Sequence, residues 1–207
     1  MDYKNFLNRA LISLIFISIY TVIFYTNFEN IFYLILIIYL FIFLEIFLFF
    51  KKNKIIIIFY VILSFLSFLN TDLSNDTYFK FNLLIITIIS FDIFSYISGK
   101  IFGKYKLFKF ISPNKTVEGL IGGIFFSILL SSIYIIIVQS FISIFDAIFI
   151  SLIIISSLFG DLIESFFKRI NNLKNSSNFL SGHGGFFDRF DSFILCMIVY
   201  FFYENIL

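Results

Sequence analysis

Long apolar runs, separated by short polar segments, follow one another through the chain. Seven of them are long enough, or nearly so, to predict membrane-crossing helices, since about 20 apolar residues span the hydrocarbon core. They cover residues 10–26, 31–50, 55–69, 81–99, 120–141, 143–159 and 190–206. The pattern predicts an all-α fold, a polytopic membrane bundle of about seven transmembrane helices. Because the third run is short, a re-entrant course stays open for it.

Composition strengthens this prediction. Hydrophobic residues make up 60% of the 207 residues and charged residues only 14%, whereas about a quarter of an average soluble domain is charged. A sizeable soluble domain is therefore excluded. Because no small-residue cleavage site follows the basic start of the chain, we expect a retained first span rather than a removed signal peptide.

The positive charges orient the helices. If seven helices alternate across the bilayer, the side that holds the N-terminus receives fourteen of the fifteen lysine and arginine residues, and the other side receives only Lys80. Loops rich in lysine and arginine stay in the cytoplasm. We therefore expect a cytoplasmic N-terminus in a multi-pass protein of the inner (plasma) membrane, with acidic residues such as Glu29 and Glu204 in the opposite loops.

Two long polar stretches lie on the basic side, residues 100–119 and 161–191. The first alone is typical of a solvated surface that faces lipid phosphates. In the second, Asp161, Ser165 and Lys168 share one face if a helix continues through them, which places a carboxylate, a hydroxyl and an ammonium together. The spacing also fits a plain i, i+4 pair between Lys168 and the carboxylate at position 164, and this interpretation stays open.

A glycine-rich segment, Ser181-Gly182-His183-Gly184-Gly185, precedes an apolar helix that we expect to begin near Phe187. Free backbone N–H groups and the positive end of that helix could bind an anion such as phosphate. Between glycines, His183 suits a hydrogen-bond donor to phosphate better than a metal ligand or general base; a buried structural histidine is the alternative. Asp188 and Asp191 fall in the first turn, where they either serve a site or only favour the helix dipole.

The chain offers few ligands for a soft metal. With one histidine and one cysteine, a zinc, haem or iron–sulfur site has too few ligands, whereas Mg²⁺ needs only one or two carboxylates plus substrate phosphates. Asp161 and Asp188 are the pair we expect to serve it.

Three further acidic residues lie inside apolar runs. Asp92 falls in the middle of the fourth run, and a charged side chain at a bilayer centre costs roughly 2.5–3.5 kcal/mol on insertion scales. We therefore expect Asp92 to face a polar cavity, with helix packing as the alternative. Glu45 and Asp146 lie nearer the ends of their runs, where we expect them to reach the interface.

Two ordered blocks of motifs resemble the phosphatidate cytidylyltransferase family, also called CDP-diacylglycerol synthases. The downstream block reads Ser165-x-x-Lys168-Arg169-x4-Lys174, then Leu180-Ser181-Gly182-His183-Gly184-Gly185-x-x-Asp188-Arg189-x-Asp191. The upstream block reads Asp92-x-x-x-Tyr96-x-x-Gly99, Phe102-Gly103-Lys104 and Ser112-Pro113-x-Lys115-Thr116-x-Glu118-Gly119-x-x-Gly122-Gly123. Together they cover about the last 115 residues; the region before them matches nothing specific.

The resemblance implies an enzyme that transfers a cytidylyl group from CTP to phosphatidate, giving CDP-diacylglycerol and pyrophosphate in phospholipid biosynthesis. It implies Mg²⁺ as cofactor, the lipid bilayer and a second copy of the chain as partners, and no nucleic acid. Residues 81–207 would form the catalytic transmembrane region and residues 1–80 the N-terminal helices of one membrane-embedded unit.

The resemblance also assigns roles to residues. Catalytic roles fall to Asp161, Lys168, Arg169, His183, Asp188, Arg189 and Asp191. Substrate-binding roles fall to Ser112, Lys115, Thr116, Ser165, Lys174, Gly184, Gly185 and Asp92, and the metal ligands are Asp161 and Asp188. Since a phosphomonoester is largely dianionic near neutral pH, its second pKa being about 6, the reaction needs positive charge more than a general base. We expect that charge from Lys168, Arg169, Lys174 and Arg189, with Lys115 next.

The chain departs from the family pattern at one position, and two other functions stay open. The family usually has Lys-Asp where this chain has Lys174-Asn175, so any role that depends on a negative charge there is in doubt. A related archaeal-type enzyme would act on an ether lipid instead of a diacyl lipid. A transporter or lipid flippase would also account for Asp92 and the basic loops, but it would not require a histidine between glycines followed by Asp-Arg-x-Asp.

Overall fold

The computed structural model describes residues 18–71, 73, 78–108, 110–180 and 184–206, and within these ranges the chain is helical apart from one β-hairpin and the connecting segments. The described part of the first helix, α1, covers residues 18–26. A 3-10 turn, Phe28–Asn30, follows it. The other helices are α2 (Ile31–Phe49), α3 (Lys54–Leu69), α4 (Tyr78–Phe102), α5 (Val117–Gln139), α6 (Ile144–Ile170) and α7 (Phe187–Ile206), and the hairpin strands are β1 (Lys106–Phe108) and β2 (Ser112–Thr116).

The architecture is that of an all-α membrane protein. Among the described residues, four helical segments are long and apolar enough to cross a membrane: Phe28–Phe49, Tyr78–Phe102, Val117–Gln139 and Ile144–Ile170. The helix Lys54–Leu69 is apolar but shorter, as its sequence predicts. Each helix from α2 to α7 overlaps one predicted run, while residues 10–17 of the first run lie outside the described residues. Large apolar side chains such as Ile55 and Ile137 are exposed on the helices, as expected where the solvent is lipid.

Helix α6 runs well beyond its predicted apolar segment. It begins with a capping box, in which Ser143 Oγ accepts the N–H of Asp146 at 3.1 Å and Asp146 Oδ2 accepts the N–H of Ser143 at 2.9 Å. It then continues for 27 residues to Ile170, past the end expected at residue 159. The helical continuation through Asp161 and Lys168 is therefore confirmed, and it brings the second polar stretch onto a rigid element.

Different charged and polar contacts lie at the two ends of the bundle. At one end, Lys80 Nζ forms a salt bridge of 2.8 Å with Glu204 Oε1, which joins the start of α4 to the end of α7. At the other end, Asn171 Oδ1 accepts the backbone N–H groups of Lys51 and Lys52 at 2.8 and 2.7 Å. The segments that the charge pattern placed on the basic side thus meet at the end opposite Lys80.

The first polar stretch folds as an antiparallel β-hairpin, which the sequence analysis did not predict. Lys106 pairs with Thr116 and Phe108 pairs with Ser112. The turn into the hairpin is held by Glu118, whose carboxylate accepts the N–H groups of Lys104 and Tyr105 at 3.0–3.3 Å. The hairpin therefore places the residues of β2 at a fixed position over the basic end of the bundle.

Close packing of α4 against α5 supports the base of this hairpin. Gly99 and Gly119 face each other so closely that a Cβ atom on either would contact the backbone of the other or the side chain of Thr116. Thr116 caps α5, since its Oγ1 accepts the N–H of Gly119 at 3.1 Å. Part of the upstream glycine motif thus serves helix packing.

Candidate active site at the basic end of the bundle

Lys168 lies between two carboxylates at the centre of the site. Its Nζ is 2.6 Å from Glu164 Oε2, one turn earlier on α6, and 2.7 Å from Asp188 Oδ1, in the first turn of α7. The Glu164 side chain is fully buried and only 13% of the Lys168 side chain is exposed. The i, i+4 pair is present, but it is part of a three-residue network that joins α6 to α7. The charge of Lys168 is therefore largely compensated by the two carboxylates.

Asp188 anchors the segment that precedes α7. Its Oδ2 accepts the N–H of Ser176 at 2.8 Å, the N–H of Gly185 at 2.8 Å and the hydroxyl of Ser176 at 3.0 Å. Gly184 has a φ of +83°, and a Cβ atom there would overlap Asp188 Oδ2. Glycine is therefore required at position 184 by both the backbone conformation and the carboxylate that holds it.

The backbone N–H groups at the start of α7 are occupied. Besides the Gly185 contact to Asp188, the N–H groups of Phe186 and Phe187 donate to Glu45 Oε1 and Oε2 at 2.7 and 3.0 Å. The expectation that this helix start offers free N–H groups to an anion is therefore wrong for residues 185–187. Helix α7 itself begins at Phe187 as predicted, and His183 lies outside the described residues.

A salt bridge joins the upstream motif block to α6, one turn before the downstream block begins. Lys115 Nζ, on β2, is 2.7 Å from Asp161 Oδ2, on α6. Ser165 Oγ donates to Asp161 Oδ1 at 3.2 Å, so the predicted face of carboxylate and hydroxyl is present. Arg169 Nε adds a second link by donating to the carbonyl of Ile111 at 3.3 Å. The hairpin and α6 thus form one continuous polar surface.

Asp92 extends this surface into the bundle. It lies in the middle of α4, yet its side chain is exposed, and Ser157 Oγ on α6 donates to its Oδ1 at 3.3 Å. Asp92, Asp161 and Asp191 are within electrostatic range of one another. Asp92 thus belongs to a group of three carboxylates near Lys115, and the expectation that it faces a polar cavity stays a prediction.

The remaining predicted residues occupy different positions. Thr116 is buried and caps α5, and Ser112 begins β2. Arg169, Lys174 and Arg189 are exposed at this end of the bundle, and Gly184 and Gly185 are buried in the loop before α7. The structure therefore brings the described residues of the downstream motif, Ser112, Lys115 and Asp92 to one region, while it gives Thr116 a structural contact.

The residues present fit a hard cation at Asp161 better than at Asp188. The described residues contain no group of three or more His, Cys, Asp or Glu side chains arranged around a metal ion. Asp188 is more heavily engaged, since its Oδ2 faces the two N–H groups and the hydroxyl described above and its Oδ1 pairs with Lys168. Asp161, whose side chain is 30% exposed, has one contact on each oxygen, to Lys115 and Ser165, which leaves one lone-pair position on each for a cation. Since Mg²⁺ needs only one or two carboxylates plus phosphate oxygens, Asp161 is the better ligand.

Sequence reasoning missed Glu45. It was expected at a membrane interface, but its side chain is fully buried and contacts the loop before α7. Its hydrogen-bond partners lie 131 to 142 residues further along the chain, so no local spacing could reveal them. The only signal is a lone carboxylate in an apolar run, whose burial requires compensating donors.

Comparisons with known proteins point to the same family as the motifs. The model of the cytidylyltransferase family matches residues 3–207. A protein of Staphylococcus epidermidis (strain RP62A) named phosphatidate cytidylyltransferase is 41% identical over 143 residues, which cover 67% of this chain and 53% of that protein. A protein of the same name from Staphylococcus aureus (strain COL) is 40% identical over 141 residues, with the same coverage.

The comparisons cover a different extent of the chain than the two motif blocks do. The chain spans about half the length of the curated relatives it matches. The family match nevertheless begins at residue 3, so it includes the N-terminal helices that the motif comparison left without a counterpart.

Proposed function

This chain belongs to the cytidylyltransferase family, and we propose that it transfers the cytidylyl group of CTP to the phosphate of phosphatidate. An oxygen of that phosphate attacks the α-phosphorus of CTP, the bond from this phosphorus to the bridging oxygen breaks, and pyrophosphate leaves. The product is CDP-diacylglycerol. The observation that carries the proposal is the 41% identity, over 143 residues, to a phosphatidate cytidylyltransferase.

The geometry supports a phosphate-transfer site in which the protein positions and neutralises its substrates. The attacking phosphomonoester is largely dianionic at neutral pH, so a dianion must approach a triphosphate, and catalysis is then mainly positioning and electrostatic stabilisation. Lys115 on β2 and the exposed Arg169 and Lys174 supply positive charge at one end of the bundle. The contact between Lys168 and Asp188 joins α6 to the start of α7, and it would thereby keep these cationic side chains in position.

Mg²⁺ is part of the proposal. Asp161 would hold the ion, with Asp92 as a neighbouring carboxylate and Asp188, which pairs with Lys168, as the second ligand. When bound, the ion would neutralise charge on the phosphates of CTP. Independently of the ion, the ammonium of Lys115 keeps the Asp161 carboxylate oriented toward the hairpin.

The membrane arrangement follows from the separation of charges. We propose seven spans with a cytoplasmic N-terminus in the plasma membrane, because the lysine-rich segments meet at the end of the bundle opposite Lys80 and Glu204. CTP would reach the site from the cytoplasm while phosphatidate stays in the bilayer. A homodimer, taken from the family analogy, belongs to the same proposal and can be checked by mass photometry in detergent or nanodiscs.

Incorporation of label tests the reaction directly. Purified protein in phosphatidate-containing vesicles, supplied with Mg²⁺ and α-³²P-CTP, should form a chloroform-extractable cytidine lipid and release one pyrophosphate per lipid. Parallel vesicles with a diether phosphatidate separate the diacyl substrate from an ether-lipid substrate. Absence of a labelled lipid from both acceptors, with folded protein and Mg²⁺ present, would overturn the proposal.

A further inference from the structure

Glu45 is a fully buried carboxylate in the N-terminal half of the chain, on α2. Burying a carboxylate is costly unless hydrogen-bond donors replace its hydration shell. Here four donors surround it: the hydroxyls of Ser177 and Ser176, at 2.7 and 2.9 Å, and the backbone N–H groups of Phe186 and Phe187, at 2.7 and 3.0 Å. Each oxygen thus has one hydroxyl and one N–H partner, and the carboxylate is saturated.

All four donors belong to the loop that carries the motif glycines into α7. Ser176 and Ser177 lie in the segment that follows α6, while Phe186 immediately precedes α7 and Phe187 begins it. Glu45, on α2, therefore joins Ser176 and Ser177 to Phe186 and Phe187, and we call these four contacts the Glu45 clasp. A carboxylate at this position also compensates the positive end of α7.

The same loop is held by a second carboxylate. Ser176 Oγ lies 2.9 Å from Glu45 Oε2 and 3.0 Å from Asp188 Oδ2, so its single proton can serve either. A Cβ atom at Gly185 would overlap both Glu45 oxygens and Ser176 Oγ. The second glycine of the Gly184-Gly185 pair is therefore required by Glu45, just as the first is required by Asp188.

We propose that Glu45 is a positioning residue for the site, which holds residues 176–177 and 185–187 in the arrangement that presents Asp188 to Lys168. The inference depends on the proposed cytidylyl transfer for its catalytic consequence, but not for the loop geometry. Glu45 would act through these contacts and would not touch the reacting atoms. Through Glu45, α2 would contribute to the site and would not only set the membrane topology.

Replacement of Glu45 by glutamine tests the clasp because the amide keeps the size and loses one acceptor. Its NH₂ group must face a backbone N–H, which cannot reverse its direction. In Glu45→Gln we expect amide hydrogen exchange to rise at residues 184–187, with exchange in α4 and α5 unchanged, and kcat to fall roughly 10- to 100-fold. Glu45→Asp keeps both oxygens on a shorter chain and should recover part of the exchange protection and part of kcat.

Two controls separate positioning from a loss of stability. Glu29→Gln makes the same chemical change at an exposed site and should leave both readouts at wild-type values. Ser177→Ala removes a donor to Glu45, so its effect on kcat should be smaller in the Glu45→Gln background than in wild type, because both act through one contact. Ser151→Ala, at an exposed serine of α6, serves as its matched control.

The outcomes decide both proposals separately. A Glu45→Gln protein with wild-type exchange at residues 184–187 overturns the clasp, and so does one with a lower melting temperature but wild-type kcat. If the wild-type protein makes no cytidine lipid, the proposed function fails, while the exchange comparison between wild type and Glu45→Gln still decides whether Glu45 holds the loop.

Discussion

The ammonium of Lys115 lies 2.7 Å from the carboxylate of Asp161, and this contact connects a β-hairpin to the cytoplasmic continuation we propose for α6. The two residues are far apart in sequence and belong to different kinds of element. In this pair, 21% of the Lys115 side chain and 30% of the Asp161 side chain are exposed. A partly exposed pair adds little stability, about 0–1 kcal/mol, so its placement points to a role toward substrate.

Lys115→Gln should lower activity much more than stability. Loss of one positive charge that faces the phosphates should reduce kcat/KM for CTP by about 10²-fold or more, while the melting temperature in detergent changes little because the pair is partly exposed. Lys106→Gln, at an exposed lysine of the same hairpin, is the matched control and should retain wild-type kcat/KM. Equal losses in the two variants would mean that only the general charge of the hairpin matters.

Asp188→Asn should abolish turnover and also loosen the loop before α7. An asparagine cannot accept the N–H groups of Ser176 and Gly185 and also pair with the Lys168 ammonium, so a buried donor is left without its acceptor, at about 1–3 kcal/mol. The measurements are lipid-product formation and thermal unfolding. Asp146→Asn, which weakens the capping box of α6 at the other end of the bundle, should lower stability without a loss of kcat. Normal turnover in Asp188→Asn would contradict the assignment.

Local patterns predicted the parts of this structure that depend on neighbouring residues. The start of α7 at Phe187 and the shared face of Asp161 and Ser165 follow from helical spacing, and both are present. The partners of Glu45 could not be predicted, because packing between α2 and the loop before α7 decides them. The hairpin from Lys106 to Thr116 was missed because its short strands lack the apolar alternation that marks a half-buried strand.

Asp161→Asn should raise the Mg²⁺ concentration needed for half-maximal activity by about tenfold, on the scale of changes around metal sites. Asp92→Asn should move it in the same direction, since its exposed carboxylate lies beside Asp161. Binding of Mn²⁺ followed by electron paramagnetic resonance gives a readout that requires no turnover. Asp146→Asn is again the control. Unchanged Mn²⁺ affinity in both variants would place the cation elsewhere.

Cysteine labelling should reach Lys106→Cys and Lys80→Cys from opposite sides of the membrane. Helix α4 has 25 residues, roughly 37 Å at 1.5 Å per residue, which exceeds a hydrocarbon core of about 30 Å. Lys80 lies near its start, and Lys106 follows its end. The native Cys196 is buried, so a membrane-impermeant maleimide should label the introduced thiols selectively. We expect Lys106→Cys to react only in inside-out vesicles and Lys80→Cys only in right-side-out vesicles, with Glu29→Cys following Lys80→Cys. Labelling of positions 80 and 106 from the same side would rule out the proposed seven-span arrangement.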